Sequence, residues 1–97
     1  MPRIAIGLCT LELHLPGVES LKEKRSLLKS LLKRLHTTFN VATSEVDYHD
    51  VWESSVIAIV TVSTSNQHID QSINTIIKWI EQHYPDAQIV NQEIEIV

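Results

Sequence analysis

Apolar residues run without a break from Ile4 through Ala5, Ile6, Gly7 and Leu8 to Cys9, and then alternate with polar ones as Leu11-Glu12-Leu13-His14. This is the pattern of a central strand over residues 3–14 that becomes half exposed toward its end. Leu15-Pro16-Gly17-Val18 breaks it. Ser20 followed by Glu23 makes a capping-box pattern, in which a hydroxyl and a carboxylate each satisfy a free backbone donor, so a helix is expected over residues 20–38. Its apolar stripe is Leu21, Leu28, Leu32, Leu35 and Phe39, widened by Leu27 and Leu31, the spacing of a helix packed on a sheet. Asn40 is expected to cap its end.

Residues 41–47 form a short strand candidate that alternates poorly, and Asp47 to Glu53 reads as a connection. Val56-Ile57-Ala58-Ile59-Val60-Thr61-Val62, at the centre of residues 54–63, is rich in β-branched residues and predicts a strand apolar on both faces. Ser65 or Asn66 caps a second helix, whose stripe Ile69, Ile73, Ile76, Ile77, Ile80 and Tyr84 ends before Pro85. Residues 86–97 supply a last strand. Strand, helix, strand, strand, helix, strand is the order of a ferredoxin-like α+β plait, a four-stranded antiparallel sheet with both helices on one face, and residues 1–97 are expected to form a single domain.

That arrangement leaves one sheet face open. If Leu11 and Leu13 face the helices, alternation places Ile4, Ile6, Leu8, Thr10, Glu12 and His14 on the open side. Ile57 and Ile59 are expected to join them in an apolar strip rimmed by Glu12, Glu45, Glu93 and Glu95. Such a strip is unusual for a monomer and predicts a homodimer or a partner docked on the sheet. The alternative is a bulge that turns those residues inward.

Length and composition add bounds. A chain of 97 residues buries roughly 60–65% of its unfolded surface, enough for one core. Its 43% apolar and 21% charged residues are those of an ordinary globular protein. The single cysteine, Cys9, cannot form an internal disulfide, which fits a reducing compartment. Met1-Pro2-Arg3-Ile4 shows no signal-peptide run, and no apolar stretch approaches the roughly 20 residues of a membrane helix. The expected location is cytoplasmic, with no membrane partner.

Charge changes the picture more. The net −4 conceals a cluster: six of the eight basic residues, Lys22, Lys24, Arg25, Lys29, Lys33 and Arg34, lie within residues 22–34 against Glu23 alone, giving that segment +5 and the rest of the chain −9. At 100° per residue, Arg25, Lys29, Lys22 and Lys33 fall between about 40° and 120° from Leu21, on one flank beside the apolar stripe. Such a ribbon can follow a phosphate backbone. Lys22, Lys24 and Arg25 lie in the first two turns, where free backbone N–H groups favour an anion, so Lys22, Lys24, Arg25, Lys29 and Lys33 are the candidate nucleic-acid or anion-binding residues. The competing readings are a solvated face whose lysine stems shield the core, a surface that docks on an acidic partner, and a small-anion site fed by the Pro16–Ser20 loop.

The segments His14-Leu15-Pro16-Gly17, Ser20-Leu21-Lys22-Glu23-Lys24-Arg25, Phe39-Asn40-Val41 and Glu45-Val46-Asp47 with Asp50-Val51-Trp52 together resemble the bacterial YlxP-like domain-of-unknown-function family over nearly the whole chain. Ala42-Thr43-Ser44 and Tyr48-His49 depart from the family's usual pattern. The resemblance implies a ferredoxin-like fold in a bacterial cytoplasmic protein. It supplies no activity; the neighbourhood of such genes to translation and ribosome-maturation factors implies a link to RNA or the ribosome.

Other chemistry is weaker. RNA readers of this topology stack bases on aromatics of the first and third strands, and neither Ile4–Cys9 nor Val56–Val62 contains one, so any RNA contact is expected from the helix. No Arg-bearing phosphate loop of the acylphosphatase kind follows the first strand. Asp47, His49, Asp50 and Glu53 match no metal or acid–base template, and the five histidines are scattered. No catalytic residue, metal or cofactor is expected. Trp52 either anchors a binding surface or closes the sheet edge, with packing over core the favoured expectation, and Trp79, off the isoleucine stripe, is expected to join an interface. The sequence reading is a non-enzymatic binding protein.

Overall fold

The alternating segments become β1 (Ala5–His14), β2 (Ala42–Asp47), β3 (Ser54–Ser63) and β4 (Gln88–Ile96), and the two periodic ones become α1 (Leu21–Thr38) and α2 (Asn66–His83). They are seen in a computed structural model that describes residues 3–97; Met1 and Pro2, the start of the segment expected to lack a targeting run, lie outside the described residues. The sheet order is β2-β3-β1-β4, and every pairing is antiparallel. With α1 packed on β2 and α2 on β1, β3 and β4, this is the ferredoxin-like α+β plait.

Each helix starts as its sequence dictates. Ser20 accepts the Glu23 amide at 3.1 Å and Ser65 that of His68 at 3.3 Å, satisfying donors that the first turn leaves free. The capping box differs in one respect: the Glu23 carboxylate takes the amide of Glu19, at 2.7 Å, instead of that of Ser20. Phe39, in extended conformation, terminates α1. Asn40 lies beyond it without the left-handed backbone of a C-terminal cap, which among the described non-glycine residues occurs only at Tyr48.

Between sheet and helices lies the core. Cys9, Leu11 and Leu13 of β1 meet Leu28, Leu31 and Leu35 of α1 and Ile69, Ile73, Ile76 and Ile80 of α2, all buried. Gly7 lets α2 approach, since a Cβ there would collide with Cγ2 of Ile69. Burial pushes the Cys9 thiol up to about 11, which keeps it protonated and unreactive at neutral pH.

Ile57 and Ile59 belong to this core, fully buried beneath the helices, and not to the open face. β3 is apolar on both sides, and the register fixes its parity: Leu11 pairs with Ile57 and Cys9 with Ile59. Ile6 instead pairs with Val62, and Leu8 with Val60, so Ala58, Val60 and Val62 take the places expected for the two isoleucines. Ile4, Ile6 and Leu8 do lie on the uncovered side, Ile4 being 68% and Val62 62% exposed. Glu93 and Glu95, opposite Thr10 and Leu8, line its β4 edge.

Both edge strands are bulged. Register shifts between Glu45 and Asp47 and opposite Glu12/Leu13 leave Val46 and Val90 as extra, exposed residues. Bulges interrupt the row of free backbone groups through which an edge recruits foreign strands.

Candidate functional site

The basic residues of α1 divide into three environments. Lys24 is fully buried, because it sits three residues after Leu21 and four before Leu28 and so falls in the stripe that faces the sheet. Its ammonium lies 2.9 Å from Oε2 of Glu45 on β2 and donates to the carbonyls of Tyr48 and Val51, so all three donors are used. The same Glu45 oxygen accepts from the buried Ser55 hydroxyl at 2.6 Å. Lys24 is therefore withdrawn from the candidate contact residues, and Glu45 from the carboxylate rim of the open face.

This network holds the β2–β3 connection against the start of α1. Tyr48 has φ 61°, its amide donates to Oδ1 of Asp47 at 2.7 Å, and its carbonyl also accepts the Val51 amide at 3.0 Å. The tight turn presents Asp50, Val51 and Trp52 beside Ser20 and Leu21, forming a shallow groove of about 540 Å³.

Arg34 is committed elsewhere. Its guanidinium stacks 5.0 Å from the Trp79 ring and 5.3 Å from that of Tyr84 and donates to the Tyr84 hydroxyl at 3.2 Å. Trp79, packed edge-on against Phe39 and stacked on His83, belongs to this clasp between the helices.

What remains is an exposed row: Lys22, Arg25, Lys29 and Lys33. Among them only Arg25 makes an ion pair among the described residues, with Asp50 at 4.0 Å and both side chains largely in solvent. At that distance and exposure the pair neutralises little.

The residues from Asp47 to Glu53 act separately. Asp47 holds its neighbouring amide, Glu53 accepts from the Trp52 indole at 2.9 Å, and among the described residues no three His, Cys, Asp or Glu side chains gather as a metal site would require. Trp52 is 44% exposed and does not pack on the hydrophobic core, contrary to the expectation that it covers core. Among the described residues no helix is long and apolar enough to cross a membrane.

Fold and helix chemistry define the class, a ferredoxin-like α+β protein with one basic helix flank and one bare sheet face. The family model described as "Protein of unknown function (DUF503)" matches residues 6–94, and the chain belongs to that family. It is 32% identical over 83 residues to the "Uncharacterized protein YlxP" of Bacillus subtilis (strain 168), covering 86% of this chain and 89% of that one. Among solved structures, the "De novo designed protein Foldit4" superposes with TM-score 0.50 at 12% identity, over 98% of this chain and 97% of the design. That likeness concerns the fold alone. LarC2, the C-terminal domain of a cyclometallase, matches with TM-score 0.47 at 13% identity over 96% of this chain and 54% of its own.

Proposed function

We propose that this protein is a non-enzymatic, cytoplasmic RNA-binding protein that lays the Lys22-Arg25-Lys29-Lys33 flank of α1 along a phosphate backbone, of free RNA or of RNA in the ribosome. The observation that carries this reading is the row itself, exposed and nearly unopposed by acid. Arg25, Lys29 and Lys33 follow one another at i, i+4, where each like-charged pair costs about 0.2–0.5 kcal/mol of helix stability. A face serving solubility alone gains more from mixed charges, which remove that cost. Lys24 and Arg34, by contrast, are each tied to partners within the chain. The open sheet carries no aromatic on β1 or β3, so base stacking there is not part of the reading.

Four phosphate contacts on single-stranded RNA give a slope of log affinity against log salt of about −3, so binding weakens roughly fifty-fold between 50 and 200 mM salt. A salt titration of binding to an unstructured RNA checks it. Affinity that does not change with salt contradicts the ribbon, and a nuclease-resistant acidic protein recovered in place of RNA favours the protein-docking alternative.

The second element of the proposal is that the bare face pairs with another copy. Ile6, Leu8, Val60 and Val62 form adjacent cross-strand pairs on that face, and burying such a strip contributes about 25 cal/mol per Å². Sedimentation at high protein concentration is expected to show a two-chain mass, reduced to one chain by Leu8→Glu. A wild-type monomer under those conditions contradicts the pairing.

A further inference from the structure

We infer that the groove between the start of α1 and the 50–52 turn is a pocket for one unpaired nucleobase, which makes single-stranded RNA the substrate of the ribbon; this rests on the RNA reading above. The groove is lined by Leu21, Val51 and Trp52 with Ser20 and Asp50 at its polar side. Its walls are thus mainly apolar, and one is an indole with much of its surface free. The Trp52 N–H donates to Oε1 of the adjacent Glu53 at 2.9 Å. Aromatic faces beside a cationic track are the arrangement by which single strands are held, phosphates on the track and bases on the rings.

Position and charge select the base over a free anion. The residues lining the groove include a carboxylate, Asp50, and no cation, so the groove offers a phosphate no side-chain countercharge. Arg25 stands at its rim, 4.0 Å from Asp50, and is part of the same flank that continues through Lys29 and Lys33. A backbone following that flank therefore passes the groove mouth, from which a splayed base can enter while Asp50 accepts from its amino or imino edge. A duplex keeps its bases paired and stacked, and cannot fill the groove without unpairing. The volume, about 540 Å³, is within the roughly 300–1,000 Å³ of small-ligand clefts. The Lys24 network fixes the groove from beneath, through the carbonyls of Tyr48 and Val51.

The test compares binding of a single-stranded RNA, the same strand with abasic positions, and a duplex, each across a salt series, for the wild-type protein and Trp52→Ala. We expect the abasic strand and the Trp52→Ala protein each to lose roughly 5- to 150-fold in affinity with the salt slope unchanged, while duplex binding is the same for both proteins. Equal affinity for the intact and abasic strands by the wild-type protein, with the slope retained, overturns the pocket and leaves the ribbon standing. Absence of salt-dependent binding to any of the three overturns both. The abasic comparison needs no variant, so it decides the matter even if Trp52→Ala disturbs the turn.

Discussion

Lys24→Met is expected to destabilise the protein by about 3 kcal/mol, because removing one partner of a buried ion pair leaves the other charge uncompensated. Glu45, mostly buried at 16% side-chain exposure, would keep only the Ser55 hydroxyl. The carbonyls of Tyr48 and Val51 would also lose their ammonium donor, although the Tyr48 carbonyl keeps the Val51 amide. For a domain of this size the midpoint of thermal unfolding falls by about 15 °C. Adding Glu45→Leu removes the stranded charge, so the double variant should recover about 1–2 kcal/mol relative to the sum of the two single changes. Full recovery is not expected, since the Val51 carbonyl and the Ser55 hydroxyl remain without their partners. Thermal and urea unfolding of the wild type, both single variants and the double variant measure each term. Wild-type stability in Lys24→Met would mean that the ion pair does not hold the turn.

Replacing Lys22, Arg25, Lys29 and Lys33 together with alanine should have the opposite profile. RNA affinity falls at least about fifty-fold at low salt, because each lost contact removes one counterion-release increment, and the residual slope approaches zero. Stability holds or rises slightly, since alanine is the best helix former and the like-charged i, i+4 pairs disappear. Single substitutions should each lower the slope by about 0.7 without abolishing binding. Filter binding paired with urea unfolding separates loss of contact from loss of fold. A variant that is folded and binds RNA with wild-type affinity and slope contradicts the assignment.

The order and type of the elements could be read from the sequence because period and caps agree in each: Ser20 before a leucine stripe, Ser65 before an isoleucine stripe, and β-branched runs between breakers. Parity in β3 could not. With apolar residues on both faces, Ile57 and Ile59 carry no sign of which side they take, and only pairing with Cys9 and Leu11 decides it. The poor alternation of residues 41–47 has a physical cause in the bulge at Val46, which shifts the parity between Glu45 and Asp47. Glu45 precedes the shift and stands opposite Ile57, on the helix side of the sheet, where it meets Lys24.

Lys24 itself carried a signal in the sequence. Its distances from Leu21 and Leu28 place it within the apolar stripe, whereas the four ribbon residues lie to one side. Its place in the first two turns, where backbone N–H groups favour an anion, masks the difference between a lysine that holds the fold and four that face solvent. Two of the segments that resemble the family, Ser20 to Arg25 and Glu45 to Asp47, meet through this pair. The groove was not legible, because it needs the 48–51 turn to bring Trp52 beside Leu21 across more than two dozen residues of chain.

In the proposed function α1, and not the sheet, meets RNA. The most direct measurement is a titration of isotopically labelled protein with an unstructured RNA, followed by backbone amide chemical shifts. Shifts are expected to concentrate at residues 20–33 of α1 and at residues 50–52, with those of Ile6, Leu8, Val60 and Val62 unmoved. Shifts confined to the open face of β1 and β3, with α1 unchanged at saturating RNA, would contradict it.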